Sequence, residues 1–272
     1  MDEERPMKDI FSLAGRSAAV VGAGSGIGEA VAIGCAEAGA AVYCLDIDAE
    51  GAAATAAAIR ESDGNSHATS AQVDILDGSA VTAAFEAIAA DHGSLDVVVC
   101  TPGVNVRKPI LDYTDDEIDR VLGLNLKGGA HVIQAAGRVM REQGSGSIIL
   151  FSSVRSVVVE PGQSMYAATK AGIVQMVRAA AAELGPHGVR VNAVAPGVID
   201  TPLTAPIKEQ PEWYGAYAAG NILERWGSAR EMAGPTVFLA SDAASYVTGA
   251  VLFADGGWTA IDGRFTPPAL SP

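Results

Sequence analysis

The chain has few cysteines and few basic residues, and both shortages exclude classes of protein. Only three of its 272 residues are cysteine, an odd number in apolar surroundings, so a disulfide framework is not expected. Lys and Arg number 18 against 32 Asp and Glu, and the net charge of −14 argues against binding to nucleic acid or an anionic membrane. No apolar run is long enough to span a bilayer, and the charged start lacks the apolar core of a signal peptide. The expected location is therefore a reducing cytoplasm.

Histidine is also scarce, and its pattern argues against a metal site. The four histidines are scattered along the chain without the spacing of metal ligands. Hydrophobic residues make up 49% of the sequence, which is enough for a sizeable core. We therefore expect a single domain over residues 1–272, with its core at about 13–258 and a loose, proline-containing tail at 262–272.

Apolar strand-like runs alternate with helical segments along most of the sequence, which predicts an α/β fold with a doubly wound parallel sheet. The segment 203–226 departs from this alternation and is predicted to form a mobile lid over the substrate. The predicted strands are 17–21, 41–45, about 67–73, 95–100, 148–151, 189–194 and 250–254. The predicted helices are 29–38, 49–62, 77–92, 114–143, 164–184 and 231–240.

Three glycines, Gly22, Gly26 and Gly28, lie between the first predicted strand and the helix that follows it. Their spacing is G-x-x-x-G-x-G, and neither G-x-G-x-x-G nor a P-loop sequence fits. Glycines let the backbone approach a pyrophosphate, and the helix N-terminus favours its negative charge. The strand, loop and helix together indicate a Rossmann-type nucleotide site, whereas a tight turn without a ligand fits this context less well.

An acidic residue, Asp46, ends the second predicted strand, and it bears on which dinucleotide binds. A carboxylate at this place accepts hydrogen bonds from ribose hydroxyls and repels a 2′-phosphate. The next residue is Ile47, and no Lys or Arg stands in the glycine loop to bind such a phosphate. NAD is therefore expected and NADP less so. Asp74, after the third strand, could meet the adenine amino group.

Tyr166 and Lys170 are four residues apart, so a helix places both on one face. The charge of Lys170 would lower the pKa of the phenol and make it a usable general acid or base. Ser153 ends an apolar strand and could donate to the same substrate oxygen. Alone, the pair also fits an ordinary surface helix. Asn125 lies inside the long predicted helix, where asparagine is unfavourable, so either a local function or a buried hydrogen bond is needed to hold it there.

From about Leu13 to Trp258 these motifs together resemble the short-chain dehydrogenase/reductase family. The remaining matches are Asn125-Leu-Lys-Gly128, Pro196-Gly197…Thr201 and the ending Phe238–Gly249…Asp255-Gly-Gly257. The resemblance implies that Tyr166 exchanges the proton and Ser153 orients the carbonyl. It also implies that Lys170 tunes Tyr166 and binds the nicotinamide ribose, that Asn125 holds a water linking Lys170 to solvent, and that Thr201 meets the carboxamide.

The resemblance and the loop positions give two sets of candidate residues. The cofactor set is Gly22, Gly24, Ser25, Gly26, Ile27, Gly28, Asp46, Ile47, Asp74, Ile75, Thr101, Gly103, Tyr166, Lys170, Pro196, Gly197, Ile199 and Thr201. The substrate set is Asn105, Arg107, Arg155, Gln163 and Trp213. The chain departs from the family pattern at Val21, at Thr101-Pro102 and at Ser156, and the last of these is predicted to touch the substrate pocket.

The expected function is hydride transfer between NAD and a secondary alcohol or ketone, such as a sugar, sugar acid or cyclic alcohol. The catalytic set is Asn125, Ser153, Tyr166 and Lys170. One alternative is a 3-oxoacyl-thioester reductase of the same family, which would more often use NADPH. The other is a non-catalytic NAD-binding regulator, against which the complete tetrad argues. The resemblance also predicts a homotetramer.

Overall fold

A seven-stranded parallel sheet lies at the centre of the computed structural model, which describes residues 6–63 and 67–261. The strand order is β3-β2-β1-β4-β5-β6-β9, and the order reverses between β1 and β4. The strands are β1 (Ser17–Val21), β2 (Ala41–Asp46), β3 (Ala68–Gln72), β4 (Val97–Cys100), β5 (Gly146–Phe151), β6 (Val189–Pro196), β7 (Ile199–Asp200), β8 (Gly227–Ser228) and β9 (Val251–Ala254). The doubly wound α/β prediction is confirmed, and the predicted tail 262–272 lies outside the described residues.

Helices cover both faces of this sheet. They are α1 (Met7–Ile10), α2 (Gly26–Glu37), α3 (Ala49–Asp63), α4 (Gly78–His92), α5 (Asp115–Leu122), α6 (Gly129–Gln143), α7 (Ser164–Leu184), α8 (Ala205–Lys208), α9 (Pro211–Ala218) and α10 (Ala233–Ala240). Because the central strands β1 and β4 are buried along their whole length, they carry continuous apolar runs rather than an alternating pattern. One core layer contains Val31, Cys35 and Leu239, and the other contains Phe85 and Met140.

The predicted helix 114–143 is wrong as a single α-helix. Thr114 and Glu117 form a capping box at its start, as their spacing indicates. From Gly123–Gly128, however, the backbone is π-helical, and it separates α5 from α6. A π-helical turn inserts an extra residue per turn and is frequent at functional sites. This turn contains Asn125, the residue that an α-helix interior disfavours.

The segment 203–226 folds into α8, α9 and a turn that leads to β8. Tyr217 and Trp226 are each only 7% exposed. Their ring centroids lie 5.8 Å apart, and Tyr214 stacks on Trp226 at 4.8 Å. The aromatic residues therefore anchor the segment through a small core of their own, and its predicted mobility stays a prediction.

The described residues show neither a membrane-spanning helix nor a cluster of metal ligands. Within residues 6–63 and 67–261, no helix combines the length and the apolar character needed to cross a bilayer. In the same residues, His, Cys, Asp and Glu do not gather in groups of three that could hold a metal ion. Cys35, Cys44 and Cys100 are buried free thiols, and burial raises the pKa of each to about 12.

Candidate active site

A cleft of about 300 Å³ opens beyond the carboxyl ends of β1, β2 and β4, where the strand order reverses. Ligands of doubly wound sheets bind at this kind of place. Twelve residues of the predicted cofactor set line the cleft: Gly22, Ser25, Gly26, Ile27, Gly28, Asp46, Ile47, Asp74, Ile75, Thr101, Gly103 and Thr201.

The glycine loop is shaped for close approach of a ligand to the backbone. Gly22 and Gly26 have φ of +85° and +57°, in the left-handed region that favours glycine. A Cβ on Gly28 would lie 1.9 Å from the Gly22 carbonyl oxygen, so only glycine fits there. The twelve-residue α2 begins at Gly26, and its first three residues, at the end where helix N–H groups are unpaired, line the cleft. These features fit the pyrophosphate of a dinucleotide.

Thr101, one of the departures from the family pattern, supports this loop from the end of β4. Its backbone N–H and its Oγ1 hydroxyl both donate to the Val21 carbonyl, at 3.1 and 2.9 Å. The Cβ of any residue replacing Gly22 would lie 2.4 Å from that hydroxyl. Thr101 therefore holds the end of β1, where the glycine loop begins.

The backbone holds the Asp46 carboxylate at the edge of the cleft. Its Oδ2 accepts from the Gly24 N–H at 2.8 Å, and its Oδ1 accepts from the Asp48 N–H at 2.9 Å. Each carboxylate oxygen keeps a further lone pair, so the group can still accept hydrogen bonds from a ligand. Ile47 beside it is 62% exposed and supplies no charge. Gly24, a member of the predicted cofactor set, does not line the cleft, and its N–H donates to Asp46.

The four predicted catalytic residues come together where β5, α7 and the π-helical turn meet. Lys170 is 3% exposed, and its Nζ donates to the Phe151 carbonyl at 2.8 Å. The same nitrogen lies 5.5 Å from the centroid of the Tyr166 ring. A Cβ on Gly103 would lie 3.2 Å from Lys170 Nζ and 3.7 Å from Asn125 Oδ1, so the loop after β4 passes beside both residues.

The hydrogen bonds of Asn125 account for its place in the helix. Its Nδ2 donates to the Val104 carbonyl and to Thr169 Oγ1, each at 3.0 Å. Its Oδ1 accepts from the Val104 N–H at 2.9 Å. Of the two explanations that the sequence left open, the buried hydrogen bond is confirmed. Asn125 joins the loop after β4 to α7, and its predicted water-holding role stays a prediction.

Burial is the largest influence on the pKa values of Tyr166 and Lys170. The Tyr166 side chain is half-buried. Desolvation of the phenolate raises the pKa of Tyr166, while a hydrogen bond from Ser153 and the charges of Arg107 and Arg155 lower it. Burial lowers the pKa of Lys170 to about 8. Desolvation thus outweighs the nearby charges, and the expected net lowering of the Tyr166 pKa is contradicted.

A second pocket of about 300 Å³ adjoins the cofactor cleft at Leu203, which lines both. Ser153 and Tyr166 face this pocket. All five predicted substrate residues line it too: Asn105, Arg107, Arg155, Gln163 and Trp213. The prediction that Ser156 touches the pocket is wrong. Its hydroxyl donates to the Ser153 carbonyl at 2.7 Å, and the residue lines a groove on the outer side of α7.

Several residues of the predicted cofactor set lie outside the cleft. Pro196 is the last residue of β6, where it pairs with Ala254. Gly197 lines the substrate pocket, and the buried Ile199 lines a separate cavity. Tyr166 lines the substrate pocket, whereas Lys170 lies behind it.

Glu160, which is not among the predicted site residues, holds together the side chains around this second pocket. Glu160 Oε2 accepts from Arg155 Nη2 at 2.5 Å and from Gln163 Nε2 at 2.7 Å. The Tyr217 hydroxyl lies 2.6 Å from the same oxygen. Because Glu160 only accepts, Gln163 directs its Oε1 to Asn105 Nδ2, at 2.9 Å. No local motif reveals this network, since Tyr217 follows Glu160 by 57 residues.

Comparisons with known proteins agree with this geometry. A family model described as enoyl-(acyl carrier protein) reductase matches residues 22–259. The cis-4-hydroxycyclohexanecarboxylate dehydrogenase of Sinomonas cyclohexanicum is 41% identical over 251 residues, which cover 92% of this chain and 99% of that one. The 3-oxoacyl-[acyl-carrier-protein] reductase of Thermotoga maritima is 36% identical over 247 residues, with coverages of 90% and 98%. A crystal structure of a gluconate 5-dehydrogenase from Burkholderia cenocepacia, in complex with NADP and tartrate, aligns with a TM-score of 0.88 at 33% identity, covering 94% of this chain and 100% of its own.

Proposed function

The chain belongs to the short-chain dehydrogenase/reductase family, and we propose that it interconverts a secondary alcohol and its ketone by hydride transfer. The observation that carries this proposal is the arrangement of Ser153 and Tyr166 in a small pocket that adjoins the dinucleotide cleft. A substrate carbon in that pocket lies between a proton-exchanging phenol and the cleft in which the nicotinamide cofactor binds. The bound cofactor supplies the hydride acceptor or donor.

The four polar residues of the site have separate roles in this proposal. Tyr166 takes the hydroxyl proton of the alcohol during oxidation and returns it to the ketone oxygen during reduction. The Ser153 hydroxyl donates to the same oxygen and fixes its position. Lys170, anchored to the Phe151 carbonyl, contacts the cofactor ribose, and Asn125 holds the loop after β4 against α7.

The proposed substrates are sugars, sugar acids and cyclic alcohols. Two of the relatives described above are named for a ring hydroxy acid and for gluconate. A 3-oxoacyl thioester is the second candidate, because the Thermotoga relative is named for that reaction. The pocket, at about 300 Å³, favours the small substrates over a long acyl chain, since small-molecule sites span roughly 300–1,000 Å³.

We propose that the preferred cofactor is NAD, and Asp46 supports this choice. Its carboxylate is held at the cleft edge by two backbone N–H groups and would repel a 2′-phosphate. The exposed Ile47 beside it supplies no positive charge to offset that repulsion. The Burkholderia relative was crystallised with NADP, so the comparisons do not favour NAD, and the proposal depends on Asp46.

We also propose a homotetramer and a lid formed by residues 203–226. An apolar groove along α7 supports association between copies, because its rim carries Val159 and Ile110, 79% and 62% exposed. Light scattering at micromolar protein should give a tetrameric mass, and a monomeric mass would refute this part. The lid is supported by its lining of the substrate pocket through Leu203, Ile207 and Trp213.

The experiment that tests the reaction is a coupled absorbance screen. The purified protein is mixed with NAD and with sugars, sugar acids, cyclic alcohols or 3-hydroxyacyl thioesters, and NADH formation is followed. Turnover of any secondary alcohol excludes the non-catalytic regulator. Preference for a 3-hydroxyacyl thioester would favour the second candidate. Absence of turnover in both directions, with NAD(H) and NADP(H), would refute the proposed function.

A further inference from the structure

The substrate pocket carries more positive than negative charge, although the protein as a whole is strongly acidic. Arg107 and Arg155 line it, and none of the described residues that line it is Asp or Glu. Glu160 lies behind the lining and is the carboxylate to which both arginines are paired. Two fixed cations therefore face one anion. This excess of positive charge in the pocket matters because the protein's net charge of −14 would otherwise disfavour the approach of any anion.

Arg155 has its partner within the protein. Its side chain is 8% exposed, and its Nη2 donates to Glu160 Oε2 at 2.5 Å. Its guanidinium also lies 5.4 Å from the centroid of Trp258 and 6.0 Å from that of Tyr217. Glu160 Oε2 accepts hydrogen bonds from Arg155, Gln163 and Tyr217. The ion pair between the buried Arg155 and the half-buried Glu160 is close to neutral and positions the side chains around it.

Arg107 is held in place but is not neutralised. Its side chain is 33% exposed, and its Nη1 lies 3.3 Å from the Tyr217 hydroxyl and 3.5 Å from Glu160 Oε1. The guanidinium carbon lies 5.1 Å from the centroid of Trp213, a cation–π contact that helps to hold the group. Within the described part of the chain, Nε and Nη2 of Arg107 make no hydrogen bond. A planar fork of N–H donors therefore remains for a ligand in the pocket.

We propose that the substrate is a hydroxy acid whose carboxylate pairs with Arg107, while its hydroxyl lies at Tyr166 and Ser153. This proposal rests on the proposed function and narrows its substrate class. A guanidinium fork matches a carboxylate with two parallel hydrogen bonds, which a neutral hydroxyl or amide cannot reproduce. The apolar wall formed by Val154, Val198 and Ile207 suits the carbon skeleton between the two polar ends.

The kinetic test uses substrate pairs that differ in charge alone. They are 4-hydroxycyclohexanecarboxylate and its carboxamide, and gluconate and gluconamide. The wild-type kcat/KM should favour the acid of a pair by about tenfold to a hundredfold, as expected for a charged hydrogen-bonded pair. Arg107→Gln should bring the acid-to-amide ratio of kcat/KM close to one, whatever it does to the rate of the amide through the pKa of Tyr166. Arg107→Lys should recover part of the preference for the acid. Arg141→Gln, which removes an exposed charge from α6, should leave kcat/KM unchanged for both the acid and the amide.

An equilibrium measurement separates failure of this inference from failure of the proposed reaction. Calorimetric titration of the Tyr166→Phe enzyme with each compound, in the presence of NAD, reports binding without turnover. Binding of an acid in preference to its amide, lost on adding Arg107→Gln, would support the carboxylate site even if no compound of the panel were oxidised. Equal effects of Arg107→Gln on acid and amide would overturn the inference, as would acids that fail to bind at millimolar concentration.

Discussion

Replacing Lys170 with Met should make the protein more stable at neutral pH while impairing turnover. Lys170 is 3% exposed and has no carboxylate partner among the described residues, so folding removes its ammonium from water at a cost. Burial lowers its pKa from 10.5 to about 8. Each pKa unit corresponds to about 1.4 kcal/mol, so the charged lysine costs about 3 kcal/mol of folding free energy below pH ~8. Met has a similar length and carries no charge.

The sign of the pH dependence follows from proton counts. Between the folded pKa of about 8 and the unfolded value of 10.5, the unfolded state binds more protons at this residue. Wild-type stability therefore gains from this group as pH rises through that range. Lys170→Met also leaves the Phe151 carbonyl without its donor, a loss of about 1 kcal/mol. The variant should be about 2 kcal/mol more stable at pH ~7, and the advantage should disappear by pH ~10.

Urea unfolding of both proteins across this pH range measures the difference directly. Protein concentration must be held constant, because association would add to the apparent stability. The thiol of Cys100, which interacts with Lys170, and the other alkaline groups are present in both proteins and largely cancel. Lys127→Met is the matched control, since Lys127 is exposed and the same substitution there should not change the pH slope. A stability difference that is independent of pH, or a variant less stable at neutral pH, would refute the reasoning.

Three further predictions concern the reaction, the cofactor and the lid. Tyr166→Phe should lower turnover by about 10²–10⁴-fold without weakening NADH binding. The control Tyr246→Phe, at a fully exposed site, should leave turnover unchanged. Near-normal turnover in Tyr166→Phe would contradict the mechanism. Asp46→Ala combined with Ile47→Arg should weaken NADH and improve NADPH in steady-state kinetics, and faster wild-type turnover with NADP would show that Asp46 has been misread. Hydrogen exchange in the 203–226 segment should slow when NADH and an inhibitor bind, and unchanged exchange would favour a fixed insertion.

The parts of the molecule that the sequence predicts well are those fixed by local patterns. The apolar runs of β1 and β4 and the glycines of the first loop are read directly from adjacent residues. The spacing of Tyr166 and Lys170 likewise depends only on helical periodicity. The π-helical turn was not predicted, and the hydrogen bonds that Asn125 makes within it go to Val104 and Thr169, which are distant in sequence.

The role of Glu160 was not predicted for a similar reason, because it depends on contacts between residues distant in sequence. Glu160 shows no motif, and its importance arises from donors on three other parts of the chain. Its contact with Arg155 is close in sequence, but Tyr217 and Arg107 reach it only in the folded structure. The direction of the Tyr166 pKa shift could not be predicted either, because a sequence shows the nearby lysine but not the degree of burial. Desolvation then outweighed the charge that the sequence made visible.

Arg107 and Arg155 carry fixed charges that favour the Tyr166 phenolate and so lower the pKa of the phenol. The groups that face this phenol are Ser153, Lys170 and the two arginines. Because Arg107 lowers the Tyr166 pKa, Arg107→Gln should move the alkaline rise of the oxidation rate to higher pH. A bound carboxylate would offset the same charge, so the rise should also occur at higher pH with a hydroxy acid than with its amide. The pH profile of kcat for the two substrates measures this directly, and identical profiles in wild type and variant would show that Arg107 does not act on Tyr166.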